Sequence, residues 1–138
     1  MTGKLVGMLA KRECFSLKKE ESLLDASMTM KQHNIGAMPV INENNTVIGI
    51  ISERDIARQI SEKNFRTDMK VEKLMTKDVI TCDLNISVSE LMETMTTNKI
   101  RHMIILDKQK LLGVVSIGDV VNHIIEQYKE ENENLRNY

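Results

Sequence analysis

The chain has 138 residues, of which 41% are hydrophobic and only 3% are aromatic. Its 19 basic and 20 acidic residues are spread along the chain and leave a formal net charge of -1, so composition favours neither a nucleic-acid-binding nor a membrane-binding surface. No apolar stretch approaches the about 18 to 20 residues of a membrane span, and the N-terminus lacks a signal-peptide core of adequate length, so we expect a cytoplasmic protein.

The first half of the chain predicts a strand, a helix, a hairpin and a second helix. The strand begins at residues 14–15. Ser22 followed by Asp25 is typical of a helix N-terminus, where the serine oxygen accepts a backbone N–H and the acid accepts one in return. The hairpin turns over residues 42–46, and the next helix follows Ser52.

The second half predicts the same elements in the same order. Residues 79–81 are a short β-rich run, and Ser87 opens an amphipathic helix. A hairpin turns over residues 107–110, and the last helix begins at Ser116. Residues 128–138 are a polar extension that prolongs this helix, either as a solvated tail or as a contact with a partner chain.

The two halves are copies of one another at a nearly constant offset. A first set of residues recurs 65 positions later, and a second set recurs 64 positions later because the second hairpin turn is one residue shorter. The first set is Val6, Leu9, Ser22, Thr29, Met30, Ile35 and Met38, which recur as Val71, Leu74, Ser87, Thr94, Met95, Ile100 and Met103. The second set is Gly49, Ser52, Asp55 and Ile60, which recur as Gly113, Ser116, Asp119 and Ile124. One copy alone would bury only a marginal core, so we expect units 6–65 and 66–127 to share one core, with paired clefts between them.

Several residue types in the chain have structural interpretations. The repeat pairs Cys14 with Val79 and Cys82 with Leu17, so neither cysteine is duplicated, and we predict free thiols without a metal or disulfide framework. His33 and His123 lie on predicted helices without further ligands at metal-binding spacing, so we predict no metal site. The methionine-rich helix faces are either core or a dimer contact.

One motif, Gly-apolar-apolar-Ser-x-x-Asp, follows a hairpin strand in both copies, at residues 49–55 and 113–119. It places a serine hydroxyl and backbone N–H groups at a helix N-terminus, where an anion such as phosphate is stabilised. The aspartate one turn later can accept hydrogen bonds from vicinal hydroxyls such as those of a ribose. The same spacing is also an ordinary helix cap, as at Ser22, but its place at a strand end that faces the other copy favours a ligand site.

Taken together, these features resemble a tandem pair of CBS domains. The resemblance depends on the repeated β-α-β-β-α order, the hairpin motif, residues 35–40 and residues 74–81, and it covers about residues 6–127. It implies an α+β fold in which the two repeats pack as a pseudo-two-fold pair with small mixed sheets. It also implies a regulatory module whose clefts bind adenosine-type ligands such as AMP, ADP, ATP, S-adenosylmethionine or NAD, with no cofactor required.

The resemblance implies roles for particular residues. Asp55 and Asp119 would bind ribose, and Ser52 and Ser116 would contact phosphate or ribose. The residues that open the second strand of each copy would border the base or the phosphates; they are Gly36, Ala37 and Met38 in one copy and Arg101, His102 and Met103 in the other. Ser16 and Thr81 would lie against the adenine.

The copies differ in the charge beside their predicted clefts. The second copy supplies Lys99, Arg101 and His102, whereas the first copy offers Arg54. We therefore expect the cleft with Asp119, Arg101 and His102 to bind a phosphorylated adenosine more tightly than the cleft with Asp55. The alternative is that Arg101 and His102 form a solvated surface pair.

The motifs of common enzyme classes are absent from the sequence, which has no nucleophile elbow, no Walker loop and no zinc-protease motif, so we predict that it is not an enzyme. A structural interaction module that binds no nucleotide remains the alternative function, with both aspartates acting only as helix-start charges. The family resemblance further implies a homodimer formed through helices. Because no effector domain is attached, we expect the regulated partner to be a separate protein.

Overall fold

The structure is a computed structural model that describes residues 3–136. Within this range the elements follow one another as α1 (Gly3–Lys11), β1 (Leu17–Lys18), α2 (Leu23–His33), β2 (Ala37–Ile41), β3 (Val47–Ser52), α3 (Glu53–Ile60), a 3-10 turn (Val71–Lys73), β4 (Thr81–Asp83), α4 (Val88–Thr97), β5 (His102–Asp107), β6 (Lys110–Ser116) and α5 (Ile117–Arg136). The predicted β-α-β-β-α order is confirmed in both copies. Helix α1 was not predicted.

Each repeat forms its own three-stranded mixed sheet, with the same topology in both. In the first repeat β1 pairs parallel to β2, and β2 pairs antiparallel to β3. Strands β4, β5 and β6 repeat this pattern, and both hairpins shift register at equivalent places, after Val40 and after Ile105. The α+β class with small mixed sheets is therefore confirmed.

The first strand of each repeat begins later than the sequence predicts. It begins at Leu17 rather than at residues 14–15, and at Thr81 at the end of the predicted run 79–81. Parallel pairing starts only where Leu17 meets Val40. The apolar residues just before each strand line a cleft instead, as described below.

Serine residues cap the helices as the sequence predicts. Ser22 accepts the N–H of Asp25, whose carboxylate accepts the N–H of Ser22, and Ser52 and Asp55 repeat this reciprocal pair. Ser87 caps α4 by accepting a backbone N–H at 3.1 Å. Such caps contribute about 1 kcal/mol each, and they set where the helices begin.

The repeats exchange their N-terminal segments. Leu9 of α1, only 1% exposed, packs in the core of the second repeat, with Leu91 and Met103. Its repeat equivalent Leu74, beside the buried Val71, packs in the core of the first repeat. Burying one such side chain contributes about 2 kcal/mol, so the exchange joins the two halves into one body.

Two equivalent glycines allow the exchanged segments to cross a strand. A Cβ on Gly49 would overlap the Met75 side chain and lie 3.0 Å from the Thr76 carbonyl oxygen. Ile50 and Thr76 exchange backbone hydrogen bonds of 3.0 and 2.9 Å beside this contact. A Cβ on Gly113 would lie 3.4 Å from Leu9, which is ordinary contact. The crossing is therefore tighter in the first repeat.

Both cysteines are free and half-buried, as predicted. Burial raises the pKa of the Cys14 and Cys82 thiols, and at Cys14 the charge of Arg12 partly opposes that rise. Among residues 3–136, no group of three or more His, Cys, Asp or Glu side chains is arranged to hold a metal ion. No helix in the same range has both the length and the apolar character to cross a membrane.

Candidate functional site

Two clefts lie between the repeats and share a wall formed by Gly36, Ala37 and His102. The cleft that contains Asp55 has a volume of about 310 Å³, and the cleft that contains Asp119 has a volume of about 330 Å³. We call them the Asp55 cleft and the Asp119 cleft. Both volumes lie at the lower end of the range typical of small-molecule sites.

Each cleft combines the Ser-x-x-Asp turn of one repeat with the strand openings of the other. Ser52 and Asp55 of the first repeat face residues 78–80 and 99–102 of the second repeat across the Asp55 cleft. Across the Asp119 cleft, Ser116 and Asp119 of the second repeat face residues of the first repeat, namely Glu13, Cys14, Phe15, Asn34, Ile35, Gly36 and Ala37. The clefts are thus pseudo-equivalent, and neither belongs to one repeat alone.

The Asp55 cleft is rich in cations. Its lining includes four basic residues, Arg54, Arg58, Lys99 and Arg101, and three acidic residues, Glu53, Asp55 and Asp78. Within residues 3–136 the Asp55 carboxylate accepts hydrogen bonds only from Ser52, from its backbone N–H at 2.8 Å and its hydroxyl at 3.0 Å, both at Oδ2. Asp55 Oδ1 is therefore open to a ligand hydroxyl.

In the Asp119 cleft the equivalent carboxylate is held by an arginine. Arg12 donates from Nη1 to Asp119 Oδ1 at 3.1 Å and from Nη2 to Oδ2 at 3.0 Å, and Nη2 also donates to the Val114 carbonyl oxygen at 2.7 Å. Burial acts to raise the pKa of Asp119. The hydrogen bonds and charge of Arg12, together with the hydrogen bonds of Ser116, outweigh burial, so the net effect is a lowered pKa. Asp119 is therefore a paired carboxylate, unlike Asp55.

The predicted distribution of charge between the clefts is wrong. Arg101 and Lys99 line the Asp55 cleft and not the Asp119 cleft, where the basic residue is Arg12. The prediction assigned each strand opening to the aspartate of its own repeat, whereas the structure presents Arg101 to Asp55 of the other repeat. Gly36, Ala37 and His102 line both clefts. Of the predicted pair Arg101 and His102, only His102 lines the Asp119 cleft.

His102 lies between the two clefts. A Cβ on Gly36 would lie 3.3 Å from His102 Nε2 and 3.2 Å from Glu53 Oε1, so the imidazole packs closely at the shared wall. Burial lowers the pKa of His102, and Arg101 adds to this, while the negative charges of Glu53 and Asp119 partly oppose it. The net direction is downward, which favours the neutral imidazole.

The helix N-termini offer fewer free donors than predicted. The first N–H of α3, at Glu53, donates to the Gly36 carbonyl oxygen at 2.9 Å, and the first N–H of α5, at Ile117, donates to the Arg101 carbonyl oxygen at 2.8 Å. The third N–H of each helix, at Asp55 and Asp119, donates to its capping serine hydroxyl. An anion in either cleft must therefore be held mainly by side chains.

Other predicted site residues lie elsewhere. Met38 and Met103 are 1% and 0% exposed and pack in the two cores, so neither side chain lines a cleft. Ser16 and Thr81 line neither cleft, so their contact with an adenine stays a prediction. Both strands begin late, so the preceding residues line the clefts instead: Cys14 and Phe15 in one, and Val79 and Ile80 in the other.

Sequence reasoning missed Arg12, Arg58, Asp78 and the ring pair of Phe15 and His33. These two rings stack with centroids 3.7 Å apart on the wall of the Asp119 cleft. The repeat offset gave a usable signal for Phe15, whose equivalent Ile80 lines the other cleft. It gave no signal for Arg12, because its equivalent Lys77 does not line the Asp55 cleft.

Comparisons with known proteins agree with this architecture. The CBS domain family model matches the chain twice, over residues 6–62 and 71–126. An uncharacterized 17.7 kDa protein of Acidianus ambivalens is 36% identical over 122 residues, which cover 88% of this chain and 73% of that protein. A mitochondrial CBS domain-containing protein of Arabidopsis thaliana is 36% identical over 124 residues, covering 86% of this chain and 60% of that protein.

Solved structures show the same fold. A CBS-domain containing protein from Agrobacterium tumefaciens superposes with a TM-score of 0.81 at 31% identity, covering 89% of this chain and 98% of that one. The CBS domain pair of protein MJ0100, solved with 5′-methylthioadenosine and S-adenosyl-L-methionine, superposes with a TM-score of 0.78 at 22% identity, covering 88% and 96%. The chain therefore belongs to the CBS domain family and consists largely of a pair of CBS domains.

Proposed function

We propose that this CBS domain pair is a regulatory module that binds a phosphorylated adenosine, such as AMP, ADP or ATP, in the Asp55 cleft. The observation that carries the proposal is the lining of this cleft, where an open carboxylate oxygen lies among four basic side chains. A carboxylate suits ribose hydroxyls, and arginine and lysine suit phosphate oxygens. The fold of MJ0100, which was solved with 5′-methylthioadenosine and S-adenosyl-L-methionine, supports the adenosine part of this choice.

The apolar residues of the Asp55 cleft suit an adenine ring. Ile50, Val79, Ile80 and Ile100 line it, so the base would lie between aliphatic faces without aromatic stacking. The choice of cleft reverses the hypothesis drawn from sequence. Asp119 is already bound in two places by Arg12, so a ribose there would have to displace the guanidinium.

One observation favours a second candidate function, a structural interaction module without a nucleotide. Ser52 with Asp55, and Ser116 with Asp119, each form both hydrogen bonds of a reciprocal helix cap. These residues therefore have a sufficient structural role without any ligand.

The proposal includes a homodimer and a regulated protein partner. Exposed apolar side chains on three helices support the dimer: Leu24 and Met28 on α2, Ile60 on α3, and Val121, Ile124 and Ile125 on α5. Ligand binding would regulate a partner only if the ligand binds two arrangements of the repeats with different affinity. We place this module in the cytoplasm and assign it no catalytic activity.

Thermal unfolding with a nucleotide panel tests the function. At a hundredfold excess over its dissociation constant, a ligand that binds only the folded chain stabilises it by about 2.7 kcal/mol. We expect AMP, ADP or ATP to raise the Tm by about 5 to 10 °C, and S-adenosylmethionine and NAD to serve as the comparison. A flat response to the whole panel at millimolar concentration would favour the structural module.

A matched pair of variants locates the site. Asp55→Asn and Asp119→Asn both keep an oxygen that can cap the helix but remove the charge. We expect Asp55→Asn to abolish most of the Tm increase and Asp119→Asn to preserve it. The reverse result would place the ligand in the Asp119 cleft.

A further inference from the structure

Two of the residues that line the clefts have a left-handed backbone, and they occupy equivalent positions in the two repeats. Asn34 follows α2 with a φ of 53°, and Lys99 lies just past the end of α4 with a φ of 54°. Asn34 lines the Asp119 cleft, whereas Lys99 lines the Asp55 cleft. The same position of the repeat therefore carries a neutral amide at one cleft and a cation at the other.

The fold imposes the left-handed conformation on both residues. The N–H of Ile35 donates to the Met30 carbonyl oxygen at 3.1 Å, and the N–H of Ile100 donates to the Met95 carbonyl oxygen at 3.0 Å. These bonds close the last turn of each helix as in a Schellman motif, which needs a left-handed residue just before the donor. The closure turns the chain from the helix toward the next strand, so the residue before the donor is left-handed whatever its side chain.

Asparagine suits this position better than lysine does. A left-handed backbone brings the Cβ of an ordinary residue close to the following carbonyl oxygen, whereas the short polar side chain of asparagine compensates by local hydrogen bonding. Lys99 therefore makes the end of its helix less stable than an asparagine would. A cation at a helix C-terminus also interacts favourably with the helix dipole, and α4 has no basic residue in its last turn. The dipole is thus the alternative reason for a lysine here.

The Lys99 side chain lies at the cleft without a partner from its own chain. It is exposed, and within residues 3–136 its ammonium forms no ion pair or hydrogen bond. An ammonium is a point charge on a flexible stem, so its attraction to a ligand in the cleft increases with the charge of that ligand. A nucleotide with more phosphate groups therefore gains more from Lys99.

We propose that Lys99 is a specificity-determining residue of the Asp55 cleft, which favours nucleotides with more phosphate groups and lowers the stability of the α4 end. The inference rests on the proposed function and adds an order of preference to it, with ATP before ADP and ADP before AMP. It also gives the difference between Asn34 and Lys99 a part in deciding which cleft receives the phosphates.

A matched pair of lysine-to-asparagine variants of the full chain tests the proposal. Lys99→Asn replaces the left-handed lysine at the cleft. Lys108→Asn makes the same change of side chain and net charge at another left-handed lysine, which has a φ of 49° in the turn between β5 and β6 and lines neither cleft. Asparagine is favoured at both positions, so we expect each variant to raise the Tm of the ligand-free chain by about 2 to 5 °C.

Isothermal titration calorimetry with ATP, AMP and adenosine supplies the second readout. Lys99→Asn should weaken ATP binding by about five- to tenfold and AMP binding by about two- to threefold, because the lost attraction follows the charge of the ligand. It should leave adenosine binding unchanged. Lys108→Asn should change none of the three affinities.

The two readouts separate the proposal from its alternatives. A lower Tm for Lys99→Asn would assign the lysine to the helix dipole and overturn the proposal. An unchanged ATP affinity, or an equal loss for adenosine and ATP, would overturn it as well, while wild-type ATP binding would leave the proposed function standing. A wild-type chain that binds no nucleotide would overturn the proposed function and this inference together.

Discussion

The Asp55 cleft and the Asp119 cleft have the same motif, equivalent strand ends and nearly the same volume. They differ in whether the oxygens of the aspartate carboxylate are already bound. Asp55 keeps one oxygen open among four basic residues, whereas both oxygens of Asp119 are bound by Arg12. A duplicated fold therefore does not imply duplicated chemistry. The predictions below test this difference, from the largest expected effect to the smallest.

Removing one cation from the Asp55 cleft should separate the clefts most clearly. Arg101→Met should weaken ATP binding by about ten- to hundredfold, since a charged hydrogen bond to phosphate contributes about 1.5 to 3 kcal/mol. Isothermal titration calorimetry gives the dissociation constant. Arg12→Met is the matched control in the Asp119 cleft and should change ATP affinity by less than about threefold. A larger loss from Arg12→Met would reverse the assignment of the clefts.

The paired glycines, Gly49 and Gly113, test whether the two exchanged segments pack equally closely against the strands that they cross. Gly49→Ala should destabilise the fold by about 1 to 3 kcal/mol, because the new Cβ would overlap the Met75 side chain and crowd the Thr76 carbonyl oxygen. Gly113→Ala adds only an ordinary contact with Leu9 and should change stability by less than about 1 kcal/mol. Urea unfolding of both variants measures the difference. Equal losses would contradict the asymmetry.

The Arg12–Asp119 pair should contribute modestly to stability and limit access to its cleft. The Arg12 side chain is 39% exposed, so the pair should contribute about 0.5 to 1 kcal/mol, measured by a double-mutant cycle of Arg12→Met and Asp119→Asn. Because the pKa of Asp119 is lowered on folding, this contribution is present above the ordinary carboxyl pKa and is lost as pH falls through the folded pKa. At a pH where Asp119 is protonated in both the folded and the unfolded chain, an unchanged coupling energy would contradict this explanation.

His102 should give the smallest and most local signal. Its pKa is lowered on folding, so the unfolded chain binds more protons over the window just below pH 6.5, and stability should fall slightly as pH decreases through that window. His102→Gln should flatten this dependence. A phosphate bound in the Asp55 cleft should raise the His102 pKa, which NMR titration of the imidazole can follow. A pKa that does not respond to ATP would place the phosphates away from the shared wall.

Whether a contact in the site was predictable depends on how far apart in the sequence its two residues are. Ser52 and Asp55 are three residues apart, so their hydrogen bonds follow from helix geometry and were predictable. Arg12 and Asp119 are 107 positions apart and interact only because α1 packs on the second repeat. Met38 and Met103 were themselves predicted to border the ligand, but both are buried on the core face of their strands, which sequence position did not reveal.

By itself, the sequence determined the duplication, the β-α-β-β-α order of both repeats, the helix caps and the family, because these depend on local spacing and on repetition along the chain. Only the tertiary structure decided which charges meet in each cleft. The repeats exchange their N-terminal segments and face each other across a pseudo-two-fold axis, so each aspartate lies in a cleft that both copies line. Arg101 therefore lies beside Asp55, and Arg12 beside Asp119.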